Sequence, residues 1–313
     1  MNKISYLDKK ILFKLNNKIF LITGGSGMLA TAFINQINKY TKKTKIYCFN
    51  KKKLDVSKKT SFKKLKNINP DYIIHCAALV NADLCEKKRL MAKKNILEGT
   101  KNIIEFAKIK KSKIFYPQSF LIYKDTNYQV NEKTLPKPLS TYGKYKLMSE
   151  KIILKSLKNS LIIRMGGFFG GEKKDKNFVG KVTLHISKLI KMGIKEFKVG
   201  DRVWQPSYTE DLAFNSLILL ANNKTGIYNM SSFGYCSFYE LTRKIVQFLK
   251  ISKKIKIKKI SATILGNREF AKRPLKLVMK NKRLIKEGLN RQRSWKKSLK
   301  EYLSKKYFLQ LYK

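Results

Sequence analysis

The chain has 313 residues, of which 43% are hydrophobic and 12% aromatic, so it can bury one large core or two modest ones and is not a disordered chain. Its formal net charge of +50 comes almost entirely from lysines spread along the whole length, with few arginines. Because bidentate recognition of phosphates and bases favours arginine, we expect a solvated lysine-rich surface rather than a specific nucleic-acid-binding protein.

The cysteines and histidines form no pattern that predicts a metal site. The four cysteines include no C-x-x-C pair, and the chain has only two histidines, so neither a zinc site nor a disulfide framework is expected. The N-terminus has no uninterrupted apolar stretch like that of a signal peptide, and no run approaches the roughly 20 apolar residues of a membrane span. We therefore expect a cytoplasmic protein with no membrane partner, and leave open a homodimer and a Mg²⁺ requirement.

Residues 1–17 are polar and lysine-rich, and we expect them to form a short N-terminal arm. A glycine-rich turn follows between a strand and a helix, where residues 19–30 read I-F-L-I-T-G-G-S-G-M-L-A. Gly24 and Gly27 lie three apart, where the chain leaves the strand and its backbone can approach a pyrophosphate closely. The N–H groups at the start of the helix then face the anion. This stretch predicts the phosphate-binding loop of a dinucleotide site.

The second predicted strand, residues 45–49, is followed by Asn50 and by three lysines, residues 51–53. A carboxylate at this place would bind the ribose hydroxyls of NAD, whereas cations suit the 2′-phosphate of NADP. The pattern favours NADPH over NADH as cofactor. The alternative, that these are three more surface lysines in a lysine-rich chain, stays open.

The third strand, within residues 70–78, ends in Ala77 and Ala78. Small side chains at the carboxyl end of a strand leave room for a flat cofactor, because open α/β sheets bind ligands there. We interpret His75 in this strand as a packed core histidine, not as a base. A helix around residues 90–108 and a fourth strand at 113–116 follow, and strands alternating with helices predict a parallel sheet with right-handed crossovers.

A candidate acid/base pair follows the fourth strand. Ser119 stands near the end of that strand, and Tyr142 and Lys146 lie four apart in a predicted helix, on one face. A lysine ammonium close to a phenol stabilises the phenolate and lowers the pKa of the tyrosine from near 10, which makes the tyrosine a general acid/base at neutral pH. The Ser119 hydroxyl could donate a second hydrogen bond to the same substrate oxygen.

The chain changes character after residue 165. It has a predicted helix at 177–192, a strand at 194–199, a short strand at 226–230, a helix that Ser237 caps, and a terminal helix at 294–307. We predict an α/β protein with a Rossmann-type doubly wound parallel sheet in residues 18–165. Residues 166–313 form mostly a smaller C-terminal substrate-binding lobe, with some segments, about 200–222, returning to the sheet.

Together these motifs resemble the extended short-chain dehydrogenase/reductases, and within them the dTDP-4-dehydrorhamnose reductase family and its sugar-nucleotide-binding relatives. The resemblance covers about residues 18–303 and continues beyond the nucleotide-binding half. The matching stretches include T-G-G-S-G-M-L-A at 23–30, L-D-V at 54–56, Y-G-K-Y-K-L-M-S-E at 142–150, Q-P-S-Y-T-E-D-L-A at 205–213 and K-R-P at 272–274.

The resemblance implies a role for each matching residue. Tyr142 would be the acid/base, Lys146 its pKa partner and the anchor of the nicotinamide ribose, and Ser119 the hydroxyl that polarises the carbonyl. The implied cofactor contacts are Gly24, Gly27 and Met28 to the pyrophosphate, Asp55 and Val56 to the adenine, and Ala77 and Ala78 on the ribose side. The residues expected to face the nucleotide sugar are Asn177, Phe178, Val179 and Arg273.

Four positions depart from the family pattern. The aspartate of S-T-D-Y-V-F is Phe120, the tryptophan of T-S-W-V-Y-G is Gly167, and the serine after K-R-P is Leu277. A helix asparagine that normally precedes the threonine of G-T by four residues is here Asn95, five before that threonine. Because the changes concern mainly the sugar side, the reaction class is better supported than the sugar.

We therefore expect an NAD(P)H-dependent reductase of a nucleotide-activated 4-keto-6-deoxy sugar, with dTDP-4-dehydrorhamnose as first candidate. An epimerase or dehydratase of another sugar nucleotide is the nearest alternative, although a dehydratase needs paired carboxylates and Phe120 argues against them. A non-catalytic regulatory subunit of the same fold is the alternative from another class of protein.

Overall fold

The computed structural model describes residues 5–266 and 269–312. The strands are β1 (Ile19–Thr23), β2 (Lys45–Phe49), β3 (Tyr72–His75), β4 (Lys113–Ser119), β5 (Ser160–Met165), β6 (Phe168–Phe169), β7 (Glu196–Gly200), β8 (Val203–Trp204), β9 (Ser207–Tyr208), β10 (Gly226–Met230), β11 (Cys236–Ser237) and β12 (Lys256–Ile260).

The helices are α1 (Tyr6–Phe13), α2 (Met28–Tyr40), α3 (Ala82–Lys87), α4 (Arg89–Lys93), α5 (Gly99–Lys110), α6 (Thr141–Ser156), α7 (Phe178–Lys191), α8 (Thr209–Ala221), α9 (Phe238–Phe248), α10 (Ala262–Gly266), α11 (Lys282–Lys286), α12 (Trp295–Leu303) and α13 (Lys306–Leu311). Short 3₁₀ helices lie at Lys59–Leu65, Phe120–Ile122 and Glu172–Lys174, and a π-helical segment at Lys94–Glu98 joins α4 to α5.

Six parallel strands form the central sheet, in the order β10-β5-β4-β3-β1-β2. Their residues are apolar on both sides because each face is covered. One face packs against α1, α2 and α8 around buried residues such as Phe33 and Leu217, and the other packs against α5 and α6 around Ile103 and Ile153. The predicted Rossmann-type doubly wound sheet is confirmed, and all strands end at the same edge.

The lobe has its own apolar core, built from α7, α9 and α12. Among its buried members are Val179, Trp204 and Tyr302. Three two-stranded pairings, β11 with β8, β12 with β7 and β6 with β9, connect its elements. Ser237 caps α9 as expected, through a reciprocal capping box with Glu240.

The return of the chain to the sheet differs from the expected segment at about 200–222. Residues 209–221 come back as helix α8, which packs against α2 on one face of the sheet. The strand that joins the sheet is β10, which pairs with β5 and forms the edge strand. Helix α8 is apolar on nearly all sides, so periodicity alone does not show which structure covers it.

Most of the expected N-terminal arm is a docked helix; residues 1–4 lie outside the described residues. Ser5 caps α1 by accepting a hydrogen bond from the Asp8 amide at 3.1 Å. Leu12 is fully buried in the core that α2 and α8 share with this helix. Asp8, itself buried, pairs with Arg291 at 2.9 Å. The lysines of this segment face solvent. Because they dominate its composition, the sequence alone suggests an arm that is not packed against the domain.

No helix in residues 5–266 and 269–312 is long and apolar enough to cross a membrane.

Replacing Leu12 with Ala is expected to lower the free energy of unfolding by about 2–4 kcal/mol, because it leaves a cavity between α1, α2 and α8. Urea denaturation followed by circular dichroism measures the change. Leu7→Ala on the exposed side of the same helix, at a residue that is 58% exposed, is the control and should change stability by less than about 0.5 kcal/mol. Equal effects of the two substitutions would show that α1 is not docked.

Candidate active site

The turn after β1 has the close approach that a dinucleotide loop requires. Gly24 has a φ of +70°, and a Cβ there would lie 2.8 Å from the Ala77 amide nitrogen. A Cβ on Gly25 would lie 2.4 Å from the Cys48 sulfur. Gly27 is the N-cap of α2 with an ordinary φ of −82°, and Met28 is the first residue of that helix. The loop therefore presents backbone, without side chains, at the carboxyl edge of the sheet.

Asp55 and Val56, expected beside the adenine, lie in the loop that follows β2 in the chain. The Asp55 carboxylate accepts hydrogen bonds from the amide and hydroxyl of Ser57, at 3.0 and 2.7 Å. The Val56 side chain is buried in the sheet core, and its carbonyl accepts from Asn102 at 2.8 Å. Of the three lysines after β2, Lys51 donates to the Asn95 side chain at 2.9 Å.

His75 is a buried structural histidine, as interpreted from the sequence. Its Nδ1 lies 2.9 Å from the Thr23 hydroxyl, and its Nε2 lies 3.4 Å from the Thr100 hydroxyl. Burial, and secondarily the charge of Lys146, lower the pKa of His75 to about 3. The ring is therefore neutral at physiological pH. Thr23 in turn accepts a hydrogen bond from the Ala77 amide at 3.2 Å, so this chain of contacts shapes the turn on which Ala77 lies.

Ser119 and Tyr142 are brought together at the carboxyl end of β4. Ser119 is the last residue of that strand, and its hydroxyl accepts a hydrogen bond from the Leu121 amide at 3.2 Å. Tyr142 follows the N-cap of α6, Ser140, and is 8% exposed. Burial raises the pKa of Tyr142, while hydrogen bonding with the Ser119 side chain acts in the opposite direction. The site therefore holds a protonated phenol next to a serine hydroxyl.

Lys146 is buried one turn further along α6, and its ammonium is directed at a backbone carbonyl of β4. Its Nζ donates to the Pro117 carbonyl at 2.7 Å and lies 3.7 Å from the centre of the Tyr116 ring. Burial lowers the pKa of Lys146 to about 7, against the opposite influence of Cys76 and Glu150.

Three buried residues that sequence reasoning did not assign to the site orient it. Gln118 donates to the Lys146 carbonyl and to the Glu150 carboxylate, both at 2.9 Å, and accepts from the Ser119 amide at 2.8 Å. Glu150 forms a buried ion pair with Arg164 of β5. Gln118 directly precedes Ser119, and Glu150 lies one helical turn beyond Lys146. This closeness in sequence to the predicted residues is the signal that could have identified them.

Two of the departures from the family pattern meet in one apolar cluster. Phe120 packs against a cluster that contains the buried residues Ile122, Val130 and Leu277. The expected aspartate and serine are thus both replaced by apolar residues that share the same environment.

The displaced asparagine coincides with the π-helical segment Lys94–Glu98. A π turn holds one residue more than an α turn, so it absorbs the extra residue between Asn95 and Thr100. Asn95 donates to the Met91 carbonyl at 2.8 Å. Thr100, which contacts His75, lies in the first turn of α5, so the regular α-helix has resumed at that residue.

The residues expected to face the nucleotide sugar are only partly free to contact a ligand. Asn177 is the N-cap of α7, and its side chain donates to the Phe168 carbonyl at 2.8 Å. Phe178 is partly exposed and stacks on Phe238 with ring centres 4.0 Å apart. Val179 is fully buried in the core of the lobe. Its backbone, not its side chain, is what a ligand could contact.

Arg273 lies in an ion-pair cluster that joins the lobe to the nucleotide-binding half. Its guanidinium donates to both Asp83 oxygens, at 3.2 and 2.8 Å, and to the Ala271 carbonyl at 3.0 Å. Glu269 lies 3.4 Å away and also pairs with Arg202. Arg273 is thus compensated in this structure and joins the two halves through its pair with Asp83.

No group of three or more His, Cys, Asp or Glu side chains that could hold a metal ion occurs in the described part of the chain.

Comparisons with known proteins follow the whole chain. A family model described as the RmlD substrate binding domain matches residues 18–308. The spore coat polysaccharide biosynthesis protein SpsK of Bacillus subtilis is 26% identical over 295 residues, covering 91% of this chain and 97% of SpsK. A dTDP-4-dehydrorhamnose reductase from Clostridium acetobutylicum superimposes with a TM-score of 0.83 at 26% identity, covering 91% of this chain and 98% of that one.

A second solved structure, dTDP-4-dehydrorhamnose reductase from Bacillus anthracis in complex with NADP, has the same TM-score of 0.83 at 25% identity, with coverages of 91% and 98%. The family model spans both the sheet and the lobe, so it applies to the candidate site as well as to the fold. The chain therefore belongs to the RmlD substrate binding domain family, which confirms the resemblance to the sugar-nucleotide reductases.

Proposed function

We propose that the protein is an NAD(P)H-dependent reductase that converts dTDP-4-dehydrorhamnose to dTDP-L-rhamnose. The observation that carries the proposal is the pairing of a buried, protonated Tyr142 with Ser119 at the edge where Gly24 and Ala77 leave backbone exposed. A phenol and a hydroxyl side by side can both donate to one carbonyl oxygen. The relatives named as dTDP-4-dehydrorhamnose reductases supply the substrate in this proposal.

The cofactor follows from the loop after β1. A Cβ on Gly24 or Gly25 would collide with neighbouring atoms, and such bare backbone at a helix start suits a pyrophosphate. When bound, a reduced nicotinamide would supply the hydride that adds to C4 of the keto sugar. The NADP complex of the Bacillus anthracis relative and the lysines after β2 favour NADPH over NADH.

Tyr142 and Ser119 would then act on the reacting oxygen. Tyr142 holds its proton at neutral pH because burial raises its pKa, so it can give that proton to the oxygen that becomes the C4 hydroxyl. The Ser119 hydroxyl would donate to the same oxygen and stabilise its developing negative charge. Lys146 donates to the Pro117 carbonyl one turn along α6 from Tyr142, and its pKa of about 7 leaves it partly charged at neutral pH.

Tyr142→Phe is expected to lower kcat by at least about a hundredfold, because it removes the proton donor without changing the shape of the site. The assay follows oxidation of NADPH or NADH in the presence of dTDP-4-dehydrorhamnose. Affinity for the cofactor should stay within about twofold. Tyr128→Phe, at a residue that is 64% exposed, is the matched control, and full activity in the Tyr142 variant would refute its assignment as acid.

The same assay separates the alternatives. Net oxidation of the cofactor with another sugar nucleotide, but not with this substrate, would indicate a reductase of a different sugar. An epimerase returns the hydride to the sugar, so it would convert a sugar nucleotide, as followed by chromatography of the products, without net oxidation of the cofactor. Cofactor binding without turnover of any sugar nucleotide would indicate a non-catalytic binding subunit.

Changing Lys52 and Lys53 together to Ala tests the cofactor preference. Both lysines are exposed at the end of β2, where a 2′-phosphate would lie. We expect affinity for NADPH to fall about tenfold while affinity for NADH is unchanged, measured by fluorescence titration. An equal change for both cofactors would assign these lysines to the general surface.

Lys146→Met is expected to raise the melting temperature of the cofactor-free protein by a few degrees at pH 6.5. The pKa of Lys146 is about 7 in the folded protein and 10.5 in the reference state, and each pKa unit corresponds to about 1.4 kcal/mol. The cost of burying the charge is complete below pH 7 and decreases as pH rises toward 10.5, since only the folded state then releases the proton.

The gain in the Lys146 variant should therefore shrink between pH 6.5 and pH 9. Lys144→Met, on the exposed side of α6, should show no such pH dependence. A Lys146 variant that is less stable at both pH values would mean that the contacts with Pro117 and Tyr116 outweigh the burial of the charge.

A further inference from the structure

Two nitrogen donors of the lobe are buried and have no hydrogen-bond acceptor among the residues that the structure describes. They are Nε1 of Trp204, a residue that is 6% exposed, and Nε of Arg202, whose side chain is 12% exposed. Buried donors in folded proteins nearly always have a partner. Two such donors so close in sequence point to an acceptor outside the residues that the structure describes.

Both donors lie on one side of an extended segment. Arg202 directly precedes β8 and Trp204 ends it, and residues two apart in extended chain point the same way. Both side chains pack on the Phe238 ring, whose centre lies 5.1 Å from that of the indole and 6.0 Å from the guanidinium carbon. The two side chains therefore lie beside one ring, and we call this group of three residues the β8 face.

The indole of Trp204 lies at the edge of the sheet that carries the candidate active site. A Cβ on Gly167 would lie 2.0 Å from two carbons of the indole ring. Gly167 follows Met165 by two residues, and Met165 is the partner of Ser119 in the register of β4 and β5. Trp204 thus occupies the space that a side chain at 167, where the family pattern has tryptophan, would need.

The β8 face also touches the helix expected to bind the nucleotide sugar. Phe178, the first residue of α7, meets Trp204 edge to face with ring centres 6.2 Å apart. It also stacks on Phe238 at 4.0 Å. An expected substrate residue and the unpartnered indole nitrogen therefore share one aromatic cluster.

An ion pair orients the guanidinium group of Arg202 and leaves its Nε without a partner among the described residues. Its two terminal nitrogens donate to the two Glu269 oxygens, at 2.7 and 2.8 Å. This bidentate pair holds the guanidinium plane. Nε remains as a fixed cationic donor on the β8 face.

We propose that the β8 face recognises the nucleotide sugar, with Trp204 Nε1 donating to an oxygen of the hexose and Arg202 Nε to an oxygen of the diphosphate. The indole takes the place of a side chain at Gly167, two residues beyond the strand partner of Ser119, and Arg202 carries the positive charge that suits an anionic diphosphate. This assignment rests on the proposed function for the class of ligand, but it is tested by binding alone.

The chain has only two tryptophans, which makes the test direct. Trp295→Phe leaves Trp204 as the sole indole, and Trp204→Phe leaves Trp295, which is packed in the same core. We expect dTDP-glucose to change the emission of the Trp295 variant in a saturable way and to leave that of the Trp204 variant unchanged. By calorimetry, Trp204→Phe should weaken dTDP-glucose binding about tenfold, with unchanged affinity for NADPH.

A second pair of variants tests the other donor. Arg202→Lys keeps the charge but removes Nε, and it should weaken binding of dTDP-glucose and of dTDP alike by about fivefold or more. Arg243→Lys, at an exposed position of α9, should bind both ligands as the unmodified protein does. Melting temperatures within about 2 °C of each control would exclude loss of folding as the cause.

Binding of dTDP-glucose by Trp204→Phe as tightly as by Trp295→Phe would overturn the proposal, whatever the outcome of the activity assay. Failure of the unmodified protein to bind dTDP-glucose, UDP-glucose or GDP-mannose would also overturn it. Tight binding that depends on Trp204, without reduction of dTDP-4-dehydrorhamnose, would instead refute the proposed reaction and leave the β8 face as the recognition surface.

Discussion

The buried contacts of Glu150 hold the candidate site together. This carboxylate pairs with Arg164 on β5 and accepts from Gln118 on β4, so it ties α6 to two neighbouring strands at once. Because α6 carries Tyr142 and β4 ends at Ser119, these contacts set the distance between the two hydroxyls. A buried ion pair contributes little net stability, but it disfavours other packings because an unpaired charge there would be costly. We infer that its role here is geometric.

The departures from the family pattern are compensated in space. Phe120 belongs to the same apolar environment as Leu277, although 157 positions separate them in sequence. The indole of Trp204 lies where a side chain at Gly167 would be. Taken one at a time, each change looks like the loss of a site residue. Taken in pairs, they are exchanges of packing partners on an unchanged frame.

The electrostatics of the site follow from burial more than from pairing. His75 is neutral, Tyr142 is protonated, and the pKa of Lys146 is close to 7, in each case with burial as the largest cause. In this structure the Lys146 ammonium is directed at the Pro117 carbonyl. In this state the pair is suited to donating a proton, which is the direction that a reduction requires.

Local sequence determined the nucleotide-binding half, since strand and helix periodicity, the glycine turn and the four-residue spacing of Tyr142 and Lys146 each depend on neighbours within a few positions. Burial and long-range contacts decided the rest. The docking of α1, the burial of Val179, the pairing of Arg273 with Asp83 and the approach of Trp204 to Gly167 all join segments far apart in the chain. Periodicity shows that a face is apolar or a side chain charged, but only the packed structure shows what lies against it.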